Sequence, residues 1–223
     1  MPAPARSANT QALTSAEVIE LRPPTIRVLG PVVLDAESTG PLRPSHEAQA
    51  LEILTYLALH RGVDGPTLSE AIWPGSQPNT STRNSAVSRA RAWLGEDPAG
   101  DPYLRRVADD GLYELHGVST DWDHFSALVR PGLAKAPLPQ LMSALGLVRG
   151  VPFDRSRPGR YRLRAARYAW AEFLAQEMTA SIADVAFAAS TRALQQAATP
   201  EALTAARTGL KVAPWEERLW RCA

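Results

Sequence analysis

The sequence predicts an α+β domain followed by an all-helical domain, and three observations indicate this order. Short β-branched runs at residues 26–29 and 32–34 flank a Gly-Pro turn near the start of the chain. A short helix, a polar turn, a second helix rich in Ser, Asn and Arg, and a hairpin ending at Leu115 come next. Only helical patterns remain after Val118. Because helix, turn, helix and hairpin in this order are typical of a winged helix-turn-helix, the first domain is assigned to that fold.

The chain divides into three segments, which its 223 residues can accommodate as a lead and two small domains. Residues 1–24 contain mainly Pro, Ala, Ser and Thr without an apolar period, which predicts a disordered lead. Residues 25–118 form the predicted winged-helix domain. Residues 119–223 form the predicted helical domain.

Three helices are expected within the winged-helix domain, after a third short strand at Leu42. Ser45 is positioned to cap the first helix, and Gly62 stops it. The second helix covers residues 66–73, since Pro66 starts it and a Pro-Gly pair ends it. The third helix covers residues 80–94.

A hairpin and a series of helices complete the predicted elements. The hairpin strands are residues 103–107 and 112–115, with the turn at Asp110-Gly111. The first helix of the second domain is expected to be capped by residues 119–121 and to run to Arg130. The other helices are predicted at residues 137–149, 160–180, 181–198, 200–210 and 214–221. Short helices punctuated by proline are typical of a helix-hairpin array.

The two domains carry charges of opposite sign, although the whole chain has a net charge of only +1. Residues 26–118 contain 8 Arg and no Lys against 12 Asp and Glu, a net charge of −4. Residues 131–223 contain 13 Lys and Arg against 7 Asp and Glu, a net charge of +6. Because opposite charges attract and the connection near Val118 is short, we expect the helical domain to dock against the winged helix.

The third helix offers a polar face to a partner. Its apolar stripe is Val87, Ala90 and Leu94, and its other side is polar. Arginine binds guanine with two hydrogen bonds, asparagine binds adenine in the same way, and serine binds either a base or a phosphate. With the hairpin, the residues predicted to bind DNA are Arg83, Asn84, Ser85, Ser88, Arg89, Arg91, Arg105 and Arg106. The alternative is the solvated face of an amphipathic helix.

The hairpin tip is acidic and therefore a poor reader of the minor groove. Asp109 and Asp110 would be repelled by phosphate. Arg105 and Arg106, in the ascending strand, have the charge needed to reach the DNA backbone on one side. Ordinary charge on an edge strand explains these two arginines equally well.

A cluster of arginines marks the second domain: Arg149, Arg155, Arg157, Arg160, Arg162, Arg164 and Arg167. Arg160, Arg164 and Arg167 share one face of the predicted helix and form a candidate patch for an anionic partner. That partner would be DNA backbone, an acidic protein surface or anionic lipid. The alternative is a solvated face, partly paired with acids of the first domain.

Motifs for enzymatic activity are absent from the sequence. It contains no G-x-S-x-G, Walker or dinucleotide-binding motif, and its 4 His lie in different elements without metal-ligand spacing. We therefore expect no catalytic residue, metal site or cofactor. The 6 Trp lie in or beside apolar helical patterns, so we expect them to pack in the core.

The sequence predicts a cytoplasmic protein. No uncharged apolar run approaches the roughly 18 residues of a membrane span, and the first ten residues lack the apolar segment of a secretory signal. The single cysteine, Cys222, fits a reducing compartment.

Several motifs together resemble the Streptomyces antibiotic regulatory protein (SARP) family. They are Leu68-Ser-Glu-Ala-Ile-Trp-Pro74, Val87-Ser-Arg-Ala-Arg-Ala-Trp-Leu-Gly95, Gly111-Leu-Tyr-Glu-Leu115, and Asp121 with Phe125. The resemblance implies an OmpR-type winged helix followed by a bacterial transcriptional activation domain (BTAD), an all-helical fold like tetratricopeptide repeats. It also implies transcription regulation, with the helix at residues 80–94 in the DNA major groove and the loop at residues 75–79 touching RNA polymerase or another protein.

The sequence departs from the family pattern at two places, and these favour a second interpretation. Ala90 replaces the usual leucine of the recognition helix, and the wing has Asp109 and Asp110 in place of a basic residue. Similar pairs of domains also form the C-terminal parts of large actinobacterial membrane-associated proteins. The alternative function is thus a protein–protein interaction module with weak or lost DNA binding.

Overall fold

The computed structural model describes residues 24–36, 42–76, 78–105, 111–154 and 167–223. The predicted disordered lead lies outside these ranges, except for Pro24. The strands are β1 (Thr25–Arg27), β2 (Val33–Asp35), β3 (Val63–Asp64), β4 (Leu112–Tyr113) and β5 (Ser119–Thr120). The helices are α1 (Pro44–Leu59), α2 (Gly65–Ile72), α3 (Thr80–Leu94), α4 (Asp121–Val129), α5 (Leu138–Gly146), α6 (Glu172–Gln195), α7 (Thr199–Val212) and α8 (Glu217–Trp220).

A three-stranded sheet of order β2-β1-β5 opens the fold. β1 runs antiparallel to β2, with Ile26 opposite Leu34, which confirms the predicted strand pair. β1 runs parallel to β5, with Ile26 opposite Thr120. Thr120 is the N-cap of α4, which confirms the predicted cap, and its extended backbone also lets it pair with a strand. The predicted strand at Leu42 was wrong, since Leu42 has no regular structure.

Of the three helices in the first domain, one begins at a proline and two begin at a side-chain cap. α1 starts at Pro44, whose missing N–H suits the first helical position, so the predicted cap Ser45 lies inside the helix. Asp64 caps α2 by accepting a hydrogen bond from the Thr67 N–H at 2.8 Å. Asn79 caps α3 by accepting one from the Thr82 N–H at 2.8 Å. α3 covers the predicted range of residues 80–94.

The predicted wing is formed by two antiparallel segments. Leu104 pairs with Leu115, and the Arg105 N–H donates to the Glu114 carbonyl oxygen at 3.1 Å. β4 also pairs with β3, which joins the wing to the start of α2. Of the predicted turn, Asp110 lies outside the described residues. Val87, Ala90 and Leu94 of α3 are buried as predicted, so the opposite side of this helix faces outward.

The helices of the second half differ from the predicted ones mainly at their ends. Residues 172–195 form the single helix α6 rather than two helices that meet at residue 181. The chain near Ile182 contains no Pro or Gly to break a helix, and Ile182 is itself buried. Before α6, residues 167–171 form a turn and a 3-10 helix, so the predicted helix at 160–180 was wrong there. α5 ends at Gly146, and α8 covers only four residues.

Small side chains allow α6 and α7 to pack closely. Ala186, Ala189 and Ala193 of α6 are fully buried, as is Ala205 of α7. Trp215 and Trp220, by contrast, are 73% and 60% exposed, so the prediction that every Trp packs in the core was wrong for these two. None of the described helices combines the length and apolarity needed to cross a membrane.

A buried carboxylate joins the first sheet to the helical half. Asp121, at the start of α4, is 1% exposed. Its carboxylate accepts hydrogen bonds from the Val28 N–H at 2.6 Å and the Leu29 N–H at 3.1 Å. Arg149 lies 3.7 Å from the same carboxylate. Burial raises the pKa of the Asp121 carboxyl, and the two N–H donors and the charge of Arg149 oppose that rise.

A second buried carboxylate joins α1 to the segment before α6. Glu52 accepts hydrogen bonds from the Arg167 Nη1 at 3.1 Å and from the Tyr168 N–H at 2.8 Å. The ring of Tyr168 lies in the same aromatic cluster as Trp170, which meets Tyr56 edge to face. These contacts confirm the expectation that the helical half docks against the winged helix.

Candidate nucleic-acid interface

α2, the turn after it and α3 form the helix-turn-helix. Caps at Asp64 and Asn79 fix the first turn of each helix. The buried stripe of α3 packs on α1, which leaves the polar side of α3 on the surface. The candidate interface is therefore a helix face held by a rigid core.

Serines occupy the centre of the exposed face of α3. Successive residues of an α-helix are separated by about 100°, which places Ser85 and Ser88 near the middle, with Asn84 at one edge and Arg89 at the other. Asn84, Ser85 and Ser88 are exposed and line an open polar depression along the helix. Arg89 is half-buried. Its side chain forms no hydrogen bond or ion pair with any part of the chain that the structure describes.

Arg83 points back toward α2 instead of outward. Its Nη1 donates to the Ser69 Oγ at 3.3 Å. Its guanidinium lies over Gly65, where a Cβ atom would come within 2.7 Å of the Arg83 Cζ. The guanidinium also lies near the Asp64 carboxylate, whose pKa is lowered by hydrogen bonds from Thr67 and to a smaller degree by Arg83.

Arg91 points toward the wing. Its Nε donates to the Leu104 carbonyl oxygen at 2.7 Å, and its Nη2 donates to the Arg105 carbonyl oxygen at 3.1 Å. Both acceptors belong to the first wing segment. Arg91 thus connects the last turn of α3 to the wing backbone.

The remaining predicted site residues are distributed over the wing and the second domain. Arg105 is exposed on the wing. Arg106 and the acidic tip, Asp109 and Asp110, lie outside the described residues, as do Arg160 and Arg164 of the predicted anionic-partner patch. Arg167 is described, and it pairs with Glu52 in the junction between the two halves.

Sequence reasoning did not identify the groups that hold these arginines. Gly65 and Ser69 receive Arg83, and the carbonyl groups of Leu104 and Arg105 receive Arg91. A backbone carbonyl has no signal in a sequence. The one visible signal is Asp64 followed by Gly65 and Pro66, because an N-cap before a proline predicts the start of α2.

No protein-family model matches the sequence, and no curated protein sequence matches it. Among solved structures, Mycobacterium tuberculosis EmbR in complex with a low-affinity phosphopeptide is similar, with a TM-score of 0.61 and 21% sequence identity. The similarity covers 89% of this chain and 52% of the EmbR chain, so this chain spans about half the length of EmbR. The chain therefore shares the fold of that part of EmbR.

Proposed function

We propose that this chain is the DNA-binding module of a SARP-type transcriptional regulator, without enzymatic activity, and that α3 enters the major groove. One observation carries the proposal: a helix-turn-helix backed by a buried core presents the exposed Asn84, Ser85 and Ser88 and the half-buried Arg89 on one outward side. The solvated face of an ordinary amphipathic helix requires neither a preceding helix nor a wing beside it.

Arg89 is the residue with the chemistry for base reading. Its guanidinium is not committed to another described residue, so it can donate two hydrogen bonds to the O6 and N7 atoms of guanine. Asn84, on the other edge of the face, can bind adenine, and the serines between them can bind bases or phosphates. The amide groups at the N-terminus of α3 add a positive partial charge that favours phosphate.

Binding to the DNA backbone is expected to be modest in strength. The net charge of −4 in residues 26–118 leaves few cations for phosphates. Each phosphate contact contributes about −0.9 to the slope of log K against log salt concentration. With Arg105 and two or three further donors, we expect a slope of about −2 to −4.

The helical half and the turn between α2 and α3 supply the proposed protein contacts. By the SARP resemblance, residues 75–79 would meet RNA polymerase, and the helical half would act as the BTAD in the cytoplasm. Within the turn between α2 and α3, the backbone bends sharply at Gly75, whose φ is +72°. No atom of the described residues beyond its chain neighbours lies within 4 Å of a Cβ built at Gly75, which fits an exposed contact loop.

A second candidate function is a protein–protein interaction module with weak or lost DNA binding. The acidic balance of the first domain favours it. So does the position of Arg167, which pairs with Glu52 and is only 26% exposed. The two candidates differ in one measurable property, the affinity of the parent protein for duplex DNA at low salt.

A selection from random duplexes, followed by fluorescence anisotropy, tests the proposal. We expect Arg89→Ala to weaken binding to the selected site by about 1–3 kcal/mol and to relax preference at one base position. Arg207→Ala, at an exposed arginine of α7, is the matched control and should change affinity little. Equal weakening on all duplexes would make Arg89 a phosphate contact, and no binding by the parent at low salt would favour the interaction module.

A further inference from the structure

We propose that Arg83 and Arg91 are positioning residues, which hold α2 and the wing at fixed orientations to α3 so that Arg89 can meet a base. This inference rests on the proposed DNA-binding function. It divides the three arginines of α3 into one that reads DNA and two that brace the structure that reads it. Each brace follows from a separate set of contacts.

The brace at Arg83 depends on a glycine. A Cβ atom at position 65 would lie 2.7 Å from the Arg83 Cζ and 2.8 Å from its Nη2, and real Cβ atoms essentially never make non-bonded contacts this short. Position 65 is helical and needs no glycine for its backbone, because its φ is not positive. The absent side chain instead makes room for the guanidinium between Asp64 and Ser69. Arg83 thereby connects the first turn of α3 to the first turn of α2.

The brace at Arg91 depends on the shape of the guanidinium. Its Nε and Nη2 bond to the carbonyl oxygens of successive residues, Leu104 and Arg105. The Arg105 N–H donates to Glu114 on the other side, so this wing segment is fixed between α3 and its partner segment. A planar fork of donors reaches two carbonyl groups at once, whereas the ammonium of lysine is a single point. A positive charge at position 91 is therefore not enough to form this brace, which needs both hydrogen bonds.

The positions of the three arginines around the helix agree with this division. At about 100° per residue, Arg91 lies beside the edge of the exposed face marked by Asn84, toward the wing. Arg89 lies at the opposite edge, about 160° from Arg91. Arg83 lies about 120° from Arg89, on the side that packs against α2. Each arginine thus reaches a different neighbour.

Substitution with lysine separates a brace from a phosphate contact. We expect Arg91→Lys to weaken DNA binding about tenfold, as much as Arg91→Ala, with the selected base sequence and the salt slope unchanged. Gly65→Ala should weaken binding by a similar factor although the charge of Arg83 is intact, and Ser69→Ala should act in the same direction. If Arg91→Lys binds like the parent while Arg91→Ala lowers the salt slope by about one, Arg91 is a phosphate contact and the proposal is wrong.

Amide hydrogen exchange tests the same braces without DNA. Arg91→Lys should speed exchange of the Arg105 and His116 N–H groups, which bond across the wing, while the free energy of global unfolding changes little. Arg89→Lys is the matched control and should leave those rates unchanged. Unchanged exchange in Arg91→Lys would overturn the proposal. If the parent binds no DNA but exchange responds as expected, the proposed function fails and the brace stands.

Discussion

At the residue scale, Asp121 shows how one carboxylate determines the joint between the two halves. It is nearly fully buried and accepts hydrogen bonds from two successive backbone N–H groups, Val28 and Leu29. Arg149 balances its charge from the helical half. Replacing this carboxylate by an amide would remove one of its two acceptor oxygens and place an N–H donor group against the backbone N–H donors.

We therefore expect Asp121→Asn to lower the free energy of unfolding by about 1–3 kcal/mol. Glu177→Gln, at an exposed carboxylate of α6, is the matched control and should change it by less than about 0.5 kcal/mol. Urea denaturation followed by circular dichroism measures both variants. Equal stability of the two variants would contradict a structural role for the Asp121 carboxylate.

The Asp121 carboxyl also makes the stability of the protein depend on pH, and the direction of its pKa shift fixes the sign of that dependence. Burial raises its pKa above the ordinary 3.8, so the folded protein holds this proton more tightly than the unfolded chain. The stability that this proton provides is complete below the unfolded pKa and is lost as pH rises through the folded pKa. The stability difference between the parent and Asp121→Asn should thus shrink as pH rises above 3.8. A difference that grows over that range would show a lowered pKa instead.

Gly209 is a second residue whose role depends on close contact. A Cβ atom there would lie 2.5 Å from the Leu219 Cδ1 and 2.6 Å from the Ala186 Cβ, where α6, α7 and α8 meet. Gly209→Ala should therefore destabilise the protein by about 1–3 kcal/mol through overpacking. Gly146→Ala, where a Cβ atom would have no described neighbour within 4 Å, is the matched control. Thermal unfolding of both variants checks this, and equal midpoints would contradict it.

The direction of an arginine side chain is the part of the site that sequence could not determine. The sequence placed Arg83, Arg89 and Arg91 on one predicted interface because each is cationic and lies on α3. Arg83 contacts Gly65 and Ser69, and Arg91 bonds to two wing carbonyl groups, all of which only tertiary structure brings near. The exposed residues Asn84, Ser85 and Ser88 were predictable, because helical period alone sets them opposite the apolar stripe.

At the scale of elements, prediction succeeded where caps and periodicity agree. α3 has Asn79 as its cap, a regular apolar stripe and Gly95 after its last residue, and the predicted range equals the observed one. Where the signal was weak, prediction failed. α6 is rich in alanine, and no Pro or Gly in residues 160–195 marks where its helix begins. β5 has only two residues, which are too few to show a periodic pattern.

The cap of α3 is also a test of how far the interface depends on the helix-turn-helix. Asn79→Ala removes the acceptor for the Thr82 N–H and should cost about 1 kcal/mol of stability. We expect DNA affinity to fall with it, because the first turn of α3 would fray. Asn79→Asp keeps the acceptor and should retain the stability of the parent. Chemical denaturation and anisotropy measure the two effects, and a fully stable Asn79→Ala would contradict the role of the cap.

At the scale of the whole molecule, the two halves dock through opposite charges that are partly buried. Arg167→Gln removes the charge that faces Glu52, and we expect a loss of about 1–3 kcal/mol, because Glu52 stays buried. Arg207→Gln is the exposed control. Calorimetry should show one transition for the parent and a broader or split transition for Arg167→Gln. A single unshifted transition in Arg167→Gln would mean that apolar packing alone holds the halves together.

We propose that this molecule is a DNA-binding winged helix whose arginine braces and helical support hold α3 in place. The most direct test is a titration of the isotope-labelled protein with its selected duplex, followed by the chemical shifts of backbone amides. We predict that the largest changes fall on residues 80–92 and on Arg105. Changes confined to the helical half, or no changes at low salt, would contradict DNA recognition by α3.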